Sequence, residues 1–444
     1  MEDHMSLVDD LAARAADAAP IRIGLIGCGE MGTDIVTQVA LMPGLQIAVL
    51  AEMRIDVARA ALTTAGIAAD HIQLVETVAA AEAAIAAGKL ALTQSADIAC
   101  TAGQVDVIID ATGNPGYGAE LSIRAMDHGK HVVMMNVEAD ITVGASLAAH
   151  AAKRGVVYSL GAGDEPSALM EIIEFARSLG YPIVAAGKGK NNPLNFDAIP
   201  ADYVDEAARR HMNPRMLVEF VDGSKTMIEM VAVANATGLV PDIAGMHGPA
   251  ASLADLPNVF RPRSEGGLLT RSGVVDYSIG AGVAPGVFVI IKAPHPRIHE
   301  RMRDLKMGEG PYFTFYRPYH LTSLEVPLTA AAAVLYKRPH MTPLHRPVAE
   351  VATLAKTDLA VGTVLGKIGE ADYRGWAMTA EAARAADALP IGLAERAVVT
   401  SPIAKGAMLT YANCRADQSM DIVRLRGLQD AALGYGAPRL QQAS

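Results

Sequence analysis

Cysteine is scarce: Cys28, Cys100 and Cys414 are all that 444 residues contain. They are too few for a disulfide framework and too widely spaced for a zinc motif, which points to a reducing, cytoplasmic setting. Positive charge is also short, with Lys+Arg 38 against Asp+Glu 48 and a net charge of -10. That balance offers no whole-chain attraction to a phosphate backbone and no local basic patch replaces it, so nucleic acid is not an expected partner. The N-terminus, Met1-Glu2-Asp3-His4, lacks the basic region and the long apolar stretch of a signal peptide. Long apolar runs are missing too. Ile279 to Ile291 is broken by Gly280, Gly282, Pro285 and Gly286, whereas a membrane span needs about 20 unbroken apolar residues. No membrane partner is expected.

What remains is a globular composition, 51% hydrophobic and 19% charged. At roughly 100–200 residues per domain the length predicts two to four domains with ample core. Near the start, the apolar run Ile21 to Ile26 leads directly into Gly27-Cys28-Gly29-Glu30-Met31-Gly32 and then a helical pattern through Ile35, Val36, Val39 and Leu41. In a G-x-G-x-x-G turn the first glycine permits the bend, the second lets backbone approach a pyrophosphate, and the third lets helix pack on strand. A second strand, Leu45 to Leu50, ends at Glu52, where an acidic group would hold an adenosine ribose. These features predict a Rossmann doubly wound parallel sheet. Further strands are expected at Val105 to Ile109, followed by the turn Asp110-Ala111-Thr112-Gly113-Asn114-Pro115, and at His131 to Met135, followed by Asn136. Thr112, Gly113 and Asn136, with Glu30 and Met31 of the first turn, are candidate cofactor contacts. Residues 56 to 104 read as an alanine-rich helical insertion. Glu52 favours a free 2′-hydroxyl and Arg54 a 2′-phosphate, unless Arg54 is simply a solvated charge, so spacing leaves NAD and NADP open.

After a strand through Val156 to Leu160 the chain reads Gly161-Ala162-Gly163-Asp164-Glu165. The paired carboxylates suit a hard cation or a substrate, and Asp164 equally suits a helix cap. Next, an apolar strand from Val184 leads to a loop with Lys188, Lys190, Asn191 and Asn192. This set can grip a phosphate or polyol and meet a developing oxyanion, and we prefer that to a solvated loop. Lys225 and Glu229 lie four apart on one face of an otherwise apolar helix. A buried lysine beside a carboxylate is costly and often functional, although a surface ion pair has the same spacing. Arg271 and Ser272, in a loop before Val274 to Tyr277, and Arg317 and His320, after an aromatic run that could equally be β core, are substrate-contact candidates. A helical pattern over Leu324 to Tyr336 is expected to return to the first domain. From Arg346 the texture becomes short strands and turns: Ala349 to Ala355, Asp358-Leu359, Gly362 to Leu365, Leu389 to Leu393 and Ile403 to Gly406. No set of nucleophile, base and oxyanion donors is legible there, and Trp376 is expected to anchor packing. The predicted organisation is a cofactor domain over 1–160 with a returning helix in 321–345, an α+β catalytic and dimerisation domain over 161–320, and a small, mostly β domain over 346–444.

The stretch from Ile21 to Gly238 resembles a homoserine dehydrogenase through its glycine turn, the His131 to Asn136 strand, and Lys225 at the head of an apolar helix. In that family this lysine is catalytic. The tail resembles an SAF-type domain through Asp358-Leu359, Gly362, Ile403, Gly406, Leu409 and Thr410. The combination is similar to the 1-deoxy-D-xylulose 5-phosphate reductoisomerase-like family of certain bacteria. The resemblance implies an NADPH-dependent homodimer that makes 2-C-methyl-D-erythritol 4-phosphate for isoprenoid synthesis, with magnesium or manganese. Lys188, Lys190 and Asn191 would meet phosphate or hydroxyls, and Lys225 with Glu229 would manage protons. The metal ligands stay unassigned, because the Asp-Ser-Glu motif of ordinary reductoisomerases is missing. Where homoserine dehydrogenases carry Gly-Thr, this chain has Gly187-Lys188-Gly189-Lys190, two added charges that suit a phosphorylated substrate. The alternatives are a related NAD(P)-dependent dehydrogenase and a nicotinamide-responsive sensor without turnover.

Overall fold

The computed structural model describes residues 6–210 and 212–435. The chain divides into two compact units, residues 1–167 with 321–345, and residues 168–320 with 346–444.

In the first unit β1 (Ile21–Ile26), β2 (Leu45–Ala51), β3 (Ile72–Leu74), β4 (Leu90–Thr93), β5 (Val107–Asp110), β6 (His131–Met134) and β7 (Tyr158–Leu160) form one sheet. Its order is β3-β4-β2-β1-β5-β6-β7 and every pairing is parallel. Strands covered on both faces need near-continuous apolar sequence, and Ile21, Ile23 and Leu25 of β1 are fully buried. Helix Glu30–Ala40 lays Ile35, Val36 and Val39 on this core, and helix Val326–Tyr336 adds Val326, Ala330 and Ala331 to it. The chain leaves β1 for β2 on one side and later fills the other side with β5. This reversal opens a crevice at the carboxyl ends of β1 and β5, the usual ligand position in such sheets.

Residues 56 to 104 are not a helical insertion. They carry β3 and β4, which extend the sheet past β2. The sequence pattern hid them because Leu90–Thr93 is only four residues, all buried. Alanine-rich helices Val78–Ala86 and Ala96–Thr101 flank it and blur the change of period.

The second unit holds a mixed sheet of β8 (Ile183–Gly189), β9 (Val240–Pro241), β10 (Val274–Ser278), β11 (Val287–Lys292) and β12 (Tyr312–Arg317), ordered β12-β11-β8-β10-β9. Helix Ser224–Thr237 is its centrepiece, with every residue but Lys225 buried. A helix apolar all round must be covered on all sides, and part of that cover comes from β13 (Ala349–Ala355) and β14 (Tyr373–Thr379). The Gly375 amide donates to Ser224 Oγ at 2.9 Å, and the Val348 and Ala349 amides donate to Asn235 Oδ1 at 2.9 and 3.0 Å. The segment after Arg346 thus grips both ends of the helix that carries Lys225. Several strands expected there do not form. Leu359 and Val364 make only isolated bridges to Ile403 and Val398, and Ile391–Leu393 is a short 3-10 turn. Among the described residues no helix is long and apolar enough to cross a membrane.

Candidate active site

The glycine turn is built as its spacing requires. Gly27 has φ +91, and a Cβ at Gly32 would sit 2.4 Å from the Gly27 carbonyl oxygen, so helix Glu30–Ala40 can pack on β1 only through hydrogen at that position. A Cβ at Gly29 would meet nothing within 4 Å. That open space lies at the helix N-terminus, where free N–H groups attract a pyrophosphate. Glu30 and Met31 are exposed beside it. Gly29→Ala should therefore leave unfolding unchanged and weaken nicotinamide cofactor binding about tenfold or more, whereas Gly32→Ala should lower stability by about 1–3 kcal/mol as well. Equilibrium cofactor titration beside urea unfolding separates the two effects.

Glu52, at the end of β2, is pinned from two sides. Its Oε2 accepts from the Cys28 amide at 2.9 Å and its Oε1 from the Arg54 amide at 3.0 Å. Arg54 itself is exposed. Next to them Met53, Gln94, Ser95, Asp97, Tyr117 and Arg124 line a cavity of about 380 Å³. Gln94 escaped the sequence reading because it follows a strand that carries no motif, and Tyr117 because it lies in the helix beyond the Asp110 to Pro115 turn. Across the crevice, Thr112 and Gly113 lie on the loop after β5. The Asn136 amide donates to Asp110 Oδ2 at 2.6 Å, and the Thr112 amide donates to Asp110 Oδ1 at 3.1 Å. Asn136 therefore fixes the β5 and β6 ends together around a buried carboxyl, which burial holds above the usual carboxylate range. The three cysteines are buried free thiols, with Cys28 and Cys414 pushed up to about 11 and Cys100 to about 12, chiefly by burial, so none is a thiolate at neutral pH.

The second cluster lies in the other unit. Lys188 is part of β8 and Lys190 follows directly after it, and they are 5% and 6% exposed, so neither belongs to a solvated loop. Lys188 Nζ donates to Glu229, whose side chain is fully buried, across 41 residues of sequence. Lys190 Nζ donates to the Phe220 carbonyl. Burial, with the Lys188 charge beside it, pushes the Lys190 ammonium down to about 8. Lys225 opens the helix half-exposed. Two neighbours have no sequence signature at all. Asp222 accepts from Lys356 Nζ at 3.1 Å, and Tyr277 pairs in register with Lys188 on β10.

The remaining candidates scatter. Asn191 is exposed, while Asn192 Oδ1 accepts from Arg210 at 3.0 Å. Arg317 lies across Val287 from Lys188, pairs with Glu171 at 3.0 Å and stacks on Tyr319. His320 is half-buried just beyond it. Arg271 and Ser272 are not brought to the cluster: both are exposed ahead of β10, whose Val274 pairs with Ala185 while its Tyr277 pairs with Lys188. At about 3.3 Å per residue they sit on the order of 15 Å away, at the opposite end of the strands. A larger cavity of about 620 Å³ lies within residues 347–435, contains no member of either cluster, and has its buried Arg426 paired with Glu350 at 2.7 Å.

Residues 27–160 match the homoserine dehydrogenase NAD binding domain, and residues 163–326 match the catalytic domain of oxidoreductase DRL. The chain is a nicotinamide-dependent oxidoreductase. No curated protein matches this oxidoreductase in sequence. Among solved structures it is similar to a homoserine dehydrogenase from Thiobacillus denitrificans, at 16% identity and TM-score 0.41, over 81% of this chain and 91% of that one. It is also similar to scyllo-inositol dehydrogenase from Lactobacillus casei, at 16% identity and TM-score 0.36, over 61% and 73% of the two chains. A DOX-P reductoisomerase solved with fosmidomycin and magnesium aligns at 14% identity and TM-score 0.35, over 47% and 56%.

Proposed function

We propose that the oxidoreductase is an NADPH-dependent reductoisomerase of 1-deoxy-D-xylulose 5-phosphate, working as a homodimer whose residues 346–444 form an SAF-like module. The observation that carries the reading is the pair of buried lysines at the carboxyl end of β8, in the segment matching the DRL catalytic domain. A hydroxy-acid or amino-alcohol dehydrogenase has no need of two desolvated cations beside a third at Lys225, whereas a phosphate ester and a developing alkoxide use all three.

The first unit would hold the dinucleotide, with the Gly29 turn available to its pyrophosphate and the Gln94 cavity to its adenine. In the second, Lys188 is ion-paired with Glu229 and would orient substrate oxygens. Lys190 or Lys225 would donate the proton that the carbonyl oxygen takes up on reduction. The preceding skeletal rearrangement needs vicinal oxygens held together. Asp164 and Glu165, adjacent half-buried carboxylates after β7, are hard oxygen donors of the kind that fit magnesium or manganese. The bound cation would supply Lewis acidity at those oxygens.

NADPH oxidation with 1-deoxy-D-xylulose 5-phosphate and manganese or magnesium tests the reading, with homoserine plus NADP run in parallel. Oxidation that stops on chelation and yields the branched polyol phosphate is the expected result. Turnover of homoserine alone would replace it with the dehydrogenase reading, and cofactor binding without any turnover would favour a sensor. For the cofactor, Arg54→Ala should raise KM for NADPH about tenfold and leave NADH nearly unchanged, since only the 2′-phosphate meets the guanidinium. Equal effects on both would place Glu52, and hence NAD, in control.

A further inference from the structure

Arg374 comes from β14, in the segment whose sequence showed no legible set of nucleophile, base and oxyanion donors. Its guanidinium carbon lies 4.2 Å from the centroid of the Phe196 ring and 4.6 Å from that of Trp376. The two rings meet edge to face with centroids 5.7 Å apart, and Trp376 is seated so closely on Gly245 that a Cβ there would come within 2.2 Å of the indole. The cage holds the guanidinium in place, yet Nη1 is buried and has no hydrogen-bond acceptor among the described residues.

Its acidic neighbours are engaged elsewhere. Asp222 accepts from Lys356, and Asp197 from Lys405 at 2.9 Å. Burial lowers the proton affinity of Arg374, against the charges of Asp222 and Asp197, but a guanidinium stays charged at neutral pH. A desolvated, immobilised cation with an unmet donor is costly until an acceptor arrives. The same Asp222 acts on Lys190, and Tyr277 is the register partner of Lys188, so Arg374 belongs to the neighbourhood of the lysine cluster.

We propose that Arg374 is a substrate-binding residue whose planar fork takes the phosphate of a phosphorylated substrate, with Phe196 and Trp376 holding it in position. This rests on the reading above that the substrate carries a phosphate. Trp376 is the only tryptophan, so its fluorescence reports on the site without turnover. Titration with inorganic phosphate should give a saturable change in the full-length protein. Arg374→Gln should weaken that response about 10- to 100-fold, the worth of one charge-assisted bidentate contact. Arg374→Lys, which keeps the charge but neither the fork nor the planar stacking on the rings, should fall between them and carries the test if the glutamine variant does not fold.

With 1-deoxy-D-xylulose 5-phosphate, Arg374→Gln should raise KM by the same factor and change kcat only a few-fold. An absent phosphate response, an undiminished one in both variants, or an equal response to acetate would overturn the assignment. The two readings fail separately. A phosphate response that requires Arg374 in a protein inert toward the sugar phosphate would sink the reaction and keep the site. Normal turnover with unchanged KM in both variants would sink the site and keep the reaction.

Discussion

Lys188→Met should abolish turnover, by a factor of about a thousand or more, and also destabilise the protein by about 3–5 kcal/mol. The second effect follows from burial: Lys188 and Glu229 have side-chain exposures of 6% and 0%, so removing the ammonium strands a carboxylate in a dry interior. The first follows from position, because the ammonium sits at the carboxyl end of β8 beside Lys190, where substrate oxygens would lie. The two effects can be pulled apart. In Lys188→Met/Glu229→Leu both members of the pair are removed together, and replacing a buried pair with apolar groups of similar volume is often neutral. Urea unfolding should return close to the starting midpoint while turnover stays absent. If activity returned along with stability, the pair would be structural and Lys188 would have no part in the chemistry. Glu229→Gln is the informative partner: it should cost less stability than Lys188→Met, since the glutamine amide oxygen can still accept from the buried Lys188 ammonium.

The double substitution shows why the site was only partly legible. The glycine turn is local, and spacing alone announced the bend at Gly27 and the close helix packing at Gly32. The lysines were visible as a motif, but their state was not. Lys188 finds Glu229 across 41 residues, and Asp222 finds Lys356 across 134. No period or spacing encodes such a pairing. Sequence spacing instead suggested Lys225 as the neighbour of Glu229, since both lie on one helical face, and gave no hint that Lys188 reaches the same carboxylate from β8. Arg271 and Ser272 failed for the reverse reason, since a loop rich in arginine, hydroxyls and glycine looks like a binding loop until strand register places it at the wrong end. The role of β14 was hidden by an assumption about domains. Arg374 and Trp376 alternate with the buried Tyr373, Gly375 and Ala377 in a clear two-residue period. Only the fold shows that this strand lies against the helix of Lys225.

Lys190 sets the pH dependence. With its ammonium pushed down to about 8 by burial and by Lys188, it is charged at pH 7 and neutral by pH 9. As the donor of a proton to a nascent alkoxide, it works in the charged form. Carbonyl reduction, followed as kcat/KM, should therefore be level below pH 7 and fall tenfold per pH unit above about 8. The reverse oxidation needs the neutral form and should rise through the same range. Lys190→Ala should lose about 100- to 10,000-fold in kcat and flatten this limb, whereas Lys190→Arg, charged throughout, should flatten it with a smaller loss. Glu229→Gln supplies the control on cause. The Glu229 carboxylate draws the Lys190 pKa upward against burial, so neutralising it should move the falling limb toward lower pH. A limb that stays in place in Lys190→Arg would assign the titration to another group.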